Sequence, residues 1–79
     1  MFVSVAYYDE SIKAFKTRAY TYETHMELKT GDKVAAPVKN RGTGVIEDKR
    51  AIVLETDLDK PAFPCNIITK YWSEVEENG

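Results

Sequence analysis

Residues 20 to 46 read as sheet, turn, sheet. Tyr20 and Tyr22 stand at strand spacing, Leu28-Lys29-Thr30-Gly31-Asp32 makes a short turn, and Val34, Ala36 and Val38 then alternate with Lys33, Ala35, Pro37 and Lys39. Gly42-Thr43-Gly44 interrupts the chain before a second apolar start at Val45-Ile46. Successive side chains fall on opposite faces of a strand and every second one on the same face, so a chain of this pattern must become a sheet. Glycine accepts positive φ without steric cost and aspartate bonds nearby backbone amides, which sets the reversal at Gly31-Asp32. Pro37 has no N–H for a ladder, which puts its strand at an edge or its outer end at a bulge.

The flanking segments continue the pattern. Val3, Val5 and Tyr7 alternate with Ser4, Ala6 and Tyr8 as a first strand, and Asp9-Glu10-Ser11 supplies turn formers. From Phe15 to Tyr22 the alternation resumes, with Lys16, Arg18, Tyr20 and Tyr22 on one face and Phe15, Thr17, Ala19 and Thr21 on the other. A hairpin with the first strand is expected; a helix from Asp9 to Arg18 is the rival, because Ile12, Phe15 and Ala19 fall near helical spacing. Glu23 to Lys29 carries no clear period, and Met26 and Leu28 are expected to turn inward. Val45-Ile46-Glu47 and Ala51 to Glu55 read as two strands of a meander separated by Asp48-Lys49-Arg50, the second one central because Ile52-Val53-Leu54 is apolar on both faces. Residues 57–66, with Pro61 and Pro64, form the longest loop. Ile67 to Trp72 is a closing strand, and Ser73 to Gly79 is an acidic, disordered tail.

These strands imply an all-β fold: a small five- to six-stranded antiparallel barrel or rolled sheet, of OB or SH3 size, with at most short helical turns. The domain spans residues 1–72, with 73–79 as the tail. A chain of 79 residues cannot hide long sheet edges under helices, so rolling the sheet is the economical way to remove them. Cys65 is the single cysteine and cannot form an internal disulfide, which points to a reducing cytoplasm. No apolar run approaches the ~20 residues of a membrane span, and Met1 to Val5 lacks the basic start of a signal peptide. The net charge of −2 hides an asymmetry: residues 1–50 hold nine Lys/Arg against seven Asp/Glu, and residues 51–79 two against six. A mildly basic body of this kind suits a phosphate backbone on one face while the acidic end repels it elsewhere.

Reactive chemistry is not announced. Gly42-Thr43-Gly44 lacks the Lys-Ser/Thr of a phosphate loop and leads into a strand, so it reads as a hairpin turn. His25 has no second histidine or Cys-x-x-Cys to complete a metal site and reads as an exposed loop residue. Cys65 has no basic neighbour in sequence and reads as a small buried side chain. The pairs Asp57/Asp59 and Glu76/Glu77 lie in a loop and a tail where solvent keeps both carboxylates ionised. The expectation is a non-enzymatic protein with no metal and no cofactor.

One constellation suggests binding. Lys16, Arg18, Tyr20 and Tyr22 share a strand face, and Lys39, Arg41, Lys49 and Arg50 sit in turns able to reach the same side. Cations hold phosphates while aromatic rings stack on bases, the working arrangement of many small barrels that bind single strands. The competing reading has Tyr20 and Tyr22 in the core and the cations at its rim.

Tyr20-Thr21-Tyr22, Leu28-Lys29-Thr30-Gly31-Asp32-Lys33-Val34, Pro37 and Gly44-Val45-Ile46 together resemble the amino-terminal domain of PriA-type replication-restart helicases, and also short stand-alone proteins of tailed phages. The resemblance covers about residues 3–55. It implies a small β-barrel that holds the 3′ end of a DNA strand with an aromatic-Asp-Tyr stretch and a glycine shortly after the proline. Tyr20 and Tyr22 match the aromatic positions; Thr21 replaces the aspartate and Lys39 stands near the glycine position, a departure at the end pocket itself. The resulting expectation is a binding module for single-stranded DNA or DNA ends in a bacterial cell or phage-infected host. The alternative is a phage-type accessory protein that binds a host or viral protein through the edge near Pro37 or the acidic tail.

Overall fold

The structure, a computed structural model, describes residues 1–74, so most of the acidic tail expected from residue 73 lies outside the described residues. Seven strands form one sheet: β1 (Phe2–Asp9), β2 (Ala14–Phe15), β3 (Tyr20–Thr24), β4 (Lys33–Lys39), β5 (Ile46–Leu58), β6 (Ile67–Ile68) and β7 (Lys70–Tyr71), followed by a 3-10 turn at Trp72–Glu74. The strand order is β6-β3-β1-β5-β4-β7, with β2 pairing the last two residues of β1. Only Thr69 separates β6 from β7 in the chain, so one short strap joins the two ends of the path and the sheet curls into a nearly closed barrel. The strap runs parallel to β3 (Glu23↔Ile67, Thr24↔Ile68) and antiparallel to β4 (Val34↔Tyr71, Ala35↔Lys70). The expected antiparallel barrel therefore contains one parallel pairing, at its closure.

Register assigns the two faces. Val3 pairs with Tyr22 and Val5 with both Tyr20 and Val53, which places them with Val34, Ala51 and Ile68 on the inner face. This is the core, with Val3, Val5, Val34, Ala36, Ala51 and Ile68 fully buried. Leu28 enters it as expected, and Met26 packs against it. The reversal at Gly31 has φ +95°, and it is fastened to the central strand: Gly31 N–H donates to Val53 O at 2.8 Å and Val53 N–H returns the bond to Asp32 O at 2.8 Å. Asp32 Oδ2 accepts from Lys29 N–H at 2.8 Å and completes the turn.

Two expectations are corrected. The segment Phe15 to Tyr22 is not one strand. Between the pairs Tyr8↔Phe15 and Val5↔Tyr20, β1 covers three residues and the returning chain five, so two residues are looped out around Lys16–Ala19. Period-two reasoning cannot cross such a bulge, and Lys16 and Arg18 leave the ladder. Second, Asp48-Lys49-Arg50 is no turn: β5 runs unbroken from Ile46 to Leu58. Its first half pairs with β4 from Lys39↔Ile46 to Ala35↔Arg50, forming a hairpin arm whose residues 46–49 are exposed. A projecting ribbon has solvent on both sides, so strand there needs no apolar alternation. The rest of β5 is central as expected, between β1 and β4, although Leu54 is 37% exposed.

The helix rival is absent, because Glu10–Lys13 is a hairpin turn in which Asp9 accepts from Ser11 N–H at 2.9 Å and Ser11 Oγ at 2.6 Å. Pro37 sits in the outer half of β4, past the two residues that β7 covers, where the strand has β5 alone as a ladder partner. That edge position is the one its missing N–H requires.

Candidate functional site

The looped-out residues and β3 build one wall of a cleft where the inner face of the barrel reaches solvent. Tyr20, on the inner face beside Val5, stacks on Tyr7 with ring centroids 4.6 Å apart and planes at 24°. Arg18, freed from the ladder by the bulge, turns its guanidinium over the same ring, 5.2 Å from its centroid. The opposite wall is the segment 63–66, held against β3 by the bond from Glu23 N–H to Asn66 O at 3.0 Å. Between them lies an open cleft of about 360 Å³, lined by Tyr7, Arg18, Tyr20, Thr21, Cys65 and Asn66 among others, with Phe63 at its rim 59% exposed. A volume of this size lies at the low end of the usual range for small-molecule sites.

Tyr22 floors the cleft. Its ring is in the core at 5% exposure and meets Tyr7 edge-on at 6.5 Å and 76°. Its hydroxyl donates to the Pro37 carbonyl at 3.0 Å and lies 2.5 Å from the Tyr7 hydroxyl. A carbonyl oxygen only accepts, so Tyr22 spends its proton on Pro37 and Tyr7 donates to Tyr22. Burial holds the Tyr7 phenol above its ordinary value. Burial first, and then the bond to Tyr7, push Tyr22 higher still. Both phenols are uncharged donors at neutral pH.

Of the eight sequence candidates, only Arg18, Tyr20 and Tyr22 meet here. The two readings of the tyrosines divide between them: Tyr22 is core, and Tyr20 is a half-exposed platform. Lys16 lies 3.9 Å from Asp9 at the β1–β2 hairpin. Lys39, Arg41 and Lys49 belong to the β4–β5 arm. Arg50 is on the outer face, 3.5 Å from Glu10 and 5.3 Å from the centroid of Trp72. Cys65 is partly exposed at the cleft instead of buried, and burial, helped by Glu23, raises its thiol pKa. A protonated thiol is a weak nucleophile. His25 is exposed at a bend, as expected.

Sequence reasoning missed two features. Tyr7 and Phe63 belong to the cleft, yet Tyr7 reads only as one member of an alternating strand and Phe63 as loop. On the outer face, Tyr8, Phe15 and Trp72 form a cluster with centroids 5.3–5.9 Å apart, and Lys33 joins Arg50 over the Trp72 ring at 5.4 Å. By register Ala6, Ala35 and Ile52 share that face, which accounts for two alanines buried at 2% outside the core cluster. Half of the signal was present, in the alternation of Ala6 and Tyr8 opposite Val5 and Tyr7.

Among the described residues no three His, Cys, Asp or Glu side chains gather to hold a metal ion, and no helix is long and apolar enough to cross a membrane. Comparison with known proteins gives no matching family model, no matching curated sequence and no matching solved structure.

Proposed function

We propose that this small barrel is a non-enzymatic module that binds single-stranded nucleic acid, taking one base at the Tyr20 cleft. The observation that carries the reading is Tyr20 at an open cleft, its ring stacked on Tyr7 and the Arg18 guanidinium 5.2 Å from its centroid. A flat ring fixed by a second ring loses little entropy when a base settles on it in place of the Arg18 guanidinium, which then turns to the adjoining phosphate. Tyr20 is also where the expected cation–aromatic strand and the helicase-domain resemblance coincide. The departure at Thr21 removes the carboxylate that end recognition would use, so an internal base of a strand is the occupant this chain favours.

Fluorescence anisotropy with a labelled single strand at low salt tests the reading. Affinity should fall with Arg18→Ala and with Tyr20→Ser, and should decline steeply as salt rises because phosphate contacts release counterions. Absence of binding at tens of micromolar, or indifference to both substitutions, removes it. The rival is a protein partner at the edge of β4 beyond β7, where Ala36 to Lys39 has a strand on one side alone. A stoichiometric protein captured from nuclease-treated bacterial lysate, and lost on Val38→Pro, would favour that reading.

A further inference from the structure

The β4–β5 arm is unexplained by folding. An isolated two-stranded ribbon is marginal in water, and this one leaves two aliphatic side chains uncovered near its tip, Val45 at 56% and Ile46 at 62% exposure. The tip is nevertheless built with care. Asn40 Oδ1 accepts from Gly42 N–H at 2.8 Å and Thr43 N–H at 3.3 Å, Gly44 N–H returns to Asn40 O at 2.7 Å, and Gly44 takes φ +74°. Charge along the ribbon is lopsided: Lys39, Arg41 and Lys49 against Glu47 and Asp48. Of the two carboxylates, Asp48 is already matched, 3.3 Å from Lys70 of the strap. A pre-shaped ribbon with a net basic surface and an apolar tip fits a polyanion with a groove.

We propose that this arm is a second nucleic-acid contact, which enters the major groove of a duplex tip first, with Lys39 and Lys49, on opposite faces of the ribbon by register, and Arg41 against the phosphate walls, and with Val45 and Ile46 near the tip against the base edges. The major groove, ~12 Å wide, admits a two-stranded ribbon, and thymine methyls offer aliphatic side chains an apolar surface. The inference rests on the reading of the protein as a nucleic-acid binder, but on residues separate from the cleft.

The test compares a labelled 20-base-pair duplex with one of its single strands, using the full chain and reading anisotropy across a salt series. Lys39→Ala with Arg41→Ala should weaken duplex binding and reduce its salt slope by about 2, roughly one per lost phosphate contact. Val45→Ser with Ile46→Ser should weaken it without changing the slope. Both pairs are exposed, and unchanged thermal melts of the variants confirm intact folding. Single-strand binding should respond to Tyr20→Ser and not to the arm variants. A duplex that is not bound at tens of micromolar, or is bound equally by the arm variants, overturns the inference. So does an equal effect of the arm variants on both nucleic acids, or a dimer in sedimentation that Val45→Ser with Ile46→Ser dissociates. Duplex binding without single-strand binding would sink the cleft reading and leave the arm standing.

Discussion

The Tyr22 hydroxyl donates to the carbonyl oxygen of Pro37 at 3.0 Å, and this bond spans two strands, β3 and β4, that share no ladder. The strap β6–β7 closes the barrel at one end of this seam by pairing with Glu23–Thr24 and Val34–Ala35. Tyr22 closes it at the other end, beneath the cleft. One side chain therefore serves as core, as closure and as floor of the candidate site.

Removing that hydroxyl strands the Pro37 carbonyl and the Tyr7 donor. Tyr22→Phe should cost about 1–3 kcal/mol, and each kcal/mol lowers the melting temperature of a domain this size by roughly 4–8 °C. The pH dependence has a definite sign. Tyr7 and Tyr22 keep their protons in the folded chain above the pH at which unfolded phenols lose them. Their contribution is complete below pH ~10, the unfolded value, and is lost as pH climbs beyond it toward the raised folded values. Thermal melts from pH 8 to pH 11.5 should show an alkaline loss of stability that Tyr7→Phe with Tyr22→Phe flattens. An unchanged alkaline slope in the double variant would contradict the assignment.

The strap depends on a second buried hydroxyl. Thr24 is fully buried, and its Oγ1 donates to Ile68 O at 3.0 Å while accepting from Met26 N–H at 3.0 Å. Thr24→Val keeps the shape and leaves both partners unsatisfied, so stability should fall by about 2 kcal/mol. Hydrogen exchange should speed up first at β6 and β7, ahead of β1 and β5. Uniform loss of protection across the sheet would mean that the strap is not a separate closing element.

How much of this was legible in the sequence follows from where period two holds. It holds through β1 and β4, where Val3 shares a face with Val5 and Val34 with Ala36 as read, the structure turning both faces to the core, and through the Gly31-Asp32 turn. It fails at Lys16–Ala19, where two looped-out residues reset the alternation, so Arg18 and Tyr20 meet by cation–ring stacking instead of by sharing a strand face. It fails again at Asp48-Lys49-Arg50, because a charged run marks a turn in a compact sheet but is equally at home in a ribbon that solvent surrounds. The cleft needed Tyr7 and the segment 63–66, which are far apart in the chain and meet only once β1, β3 and the strap are in register. Trp72 was read as the end of a strand; its place over Lys33 and Arg50 depends on a 3-10 turn that no local pattern signals.

Two glycines separate the barrel from the arm. Gly31 has φ +95° and Gly44 φ +74°, and neither has an atom near enough to meet an added Cβ. Any cost of alanine is therefore conformational, on the order of 1 kcal/mol or more. Gly31 N–H is tied to Val53 in the central strand, so Gly31→Ala should lower the global melting temperature by several degrees. Gly44→Ala loosens only the tip and should leave the global melt almost unchanged while accelerating exchange at Asn40 and Val45. Equal melting shifts for the two would show that the arm and the barrel unfold as a single unit.

The cleft makes a distinction between kinds of aromatic and kinds of cation. If Tyr20 acts as a stacking surface, its hydroxyl is dispensable: Tyr20→Phe should bind a single strand as the parent does, and Tyr20→Ser should lose about 1–3 kcal/mol, the usual worth of one stacked base. Arg18 offers a planar guanidinium that yields the ring to a base and grips the adjoining phosphate with paired N–H groups, whereas lysine offers a point charge. Arg18→Lys should therefore retain the salt dependence and lose part of the affinity, and Arg18→Ala should lose both. Arg18 is exposed, so its variants should melt close to the parent; Tyr20 packs on the core, so Tyr20→Phe is the variant that keeps the fold and Tyr20→Ser should melt lower, with binding read at a temperature where it is folded. If Tyr20→Phe bound as poorly as Tyr20→Ser, the cleft would be recognising its ligand through the phenol oxygen, and a base lying flat on the ring would be the wrong picture.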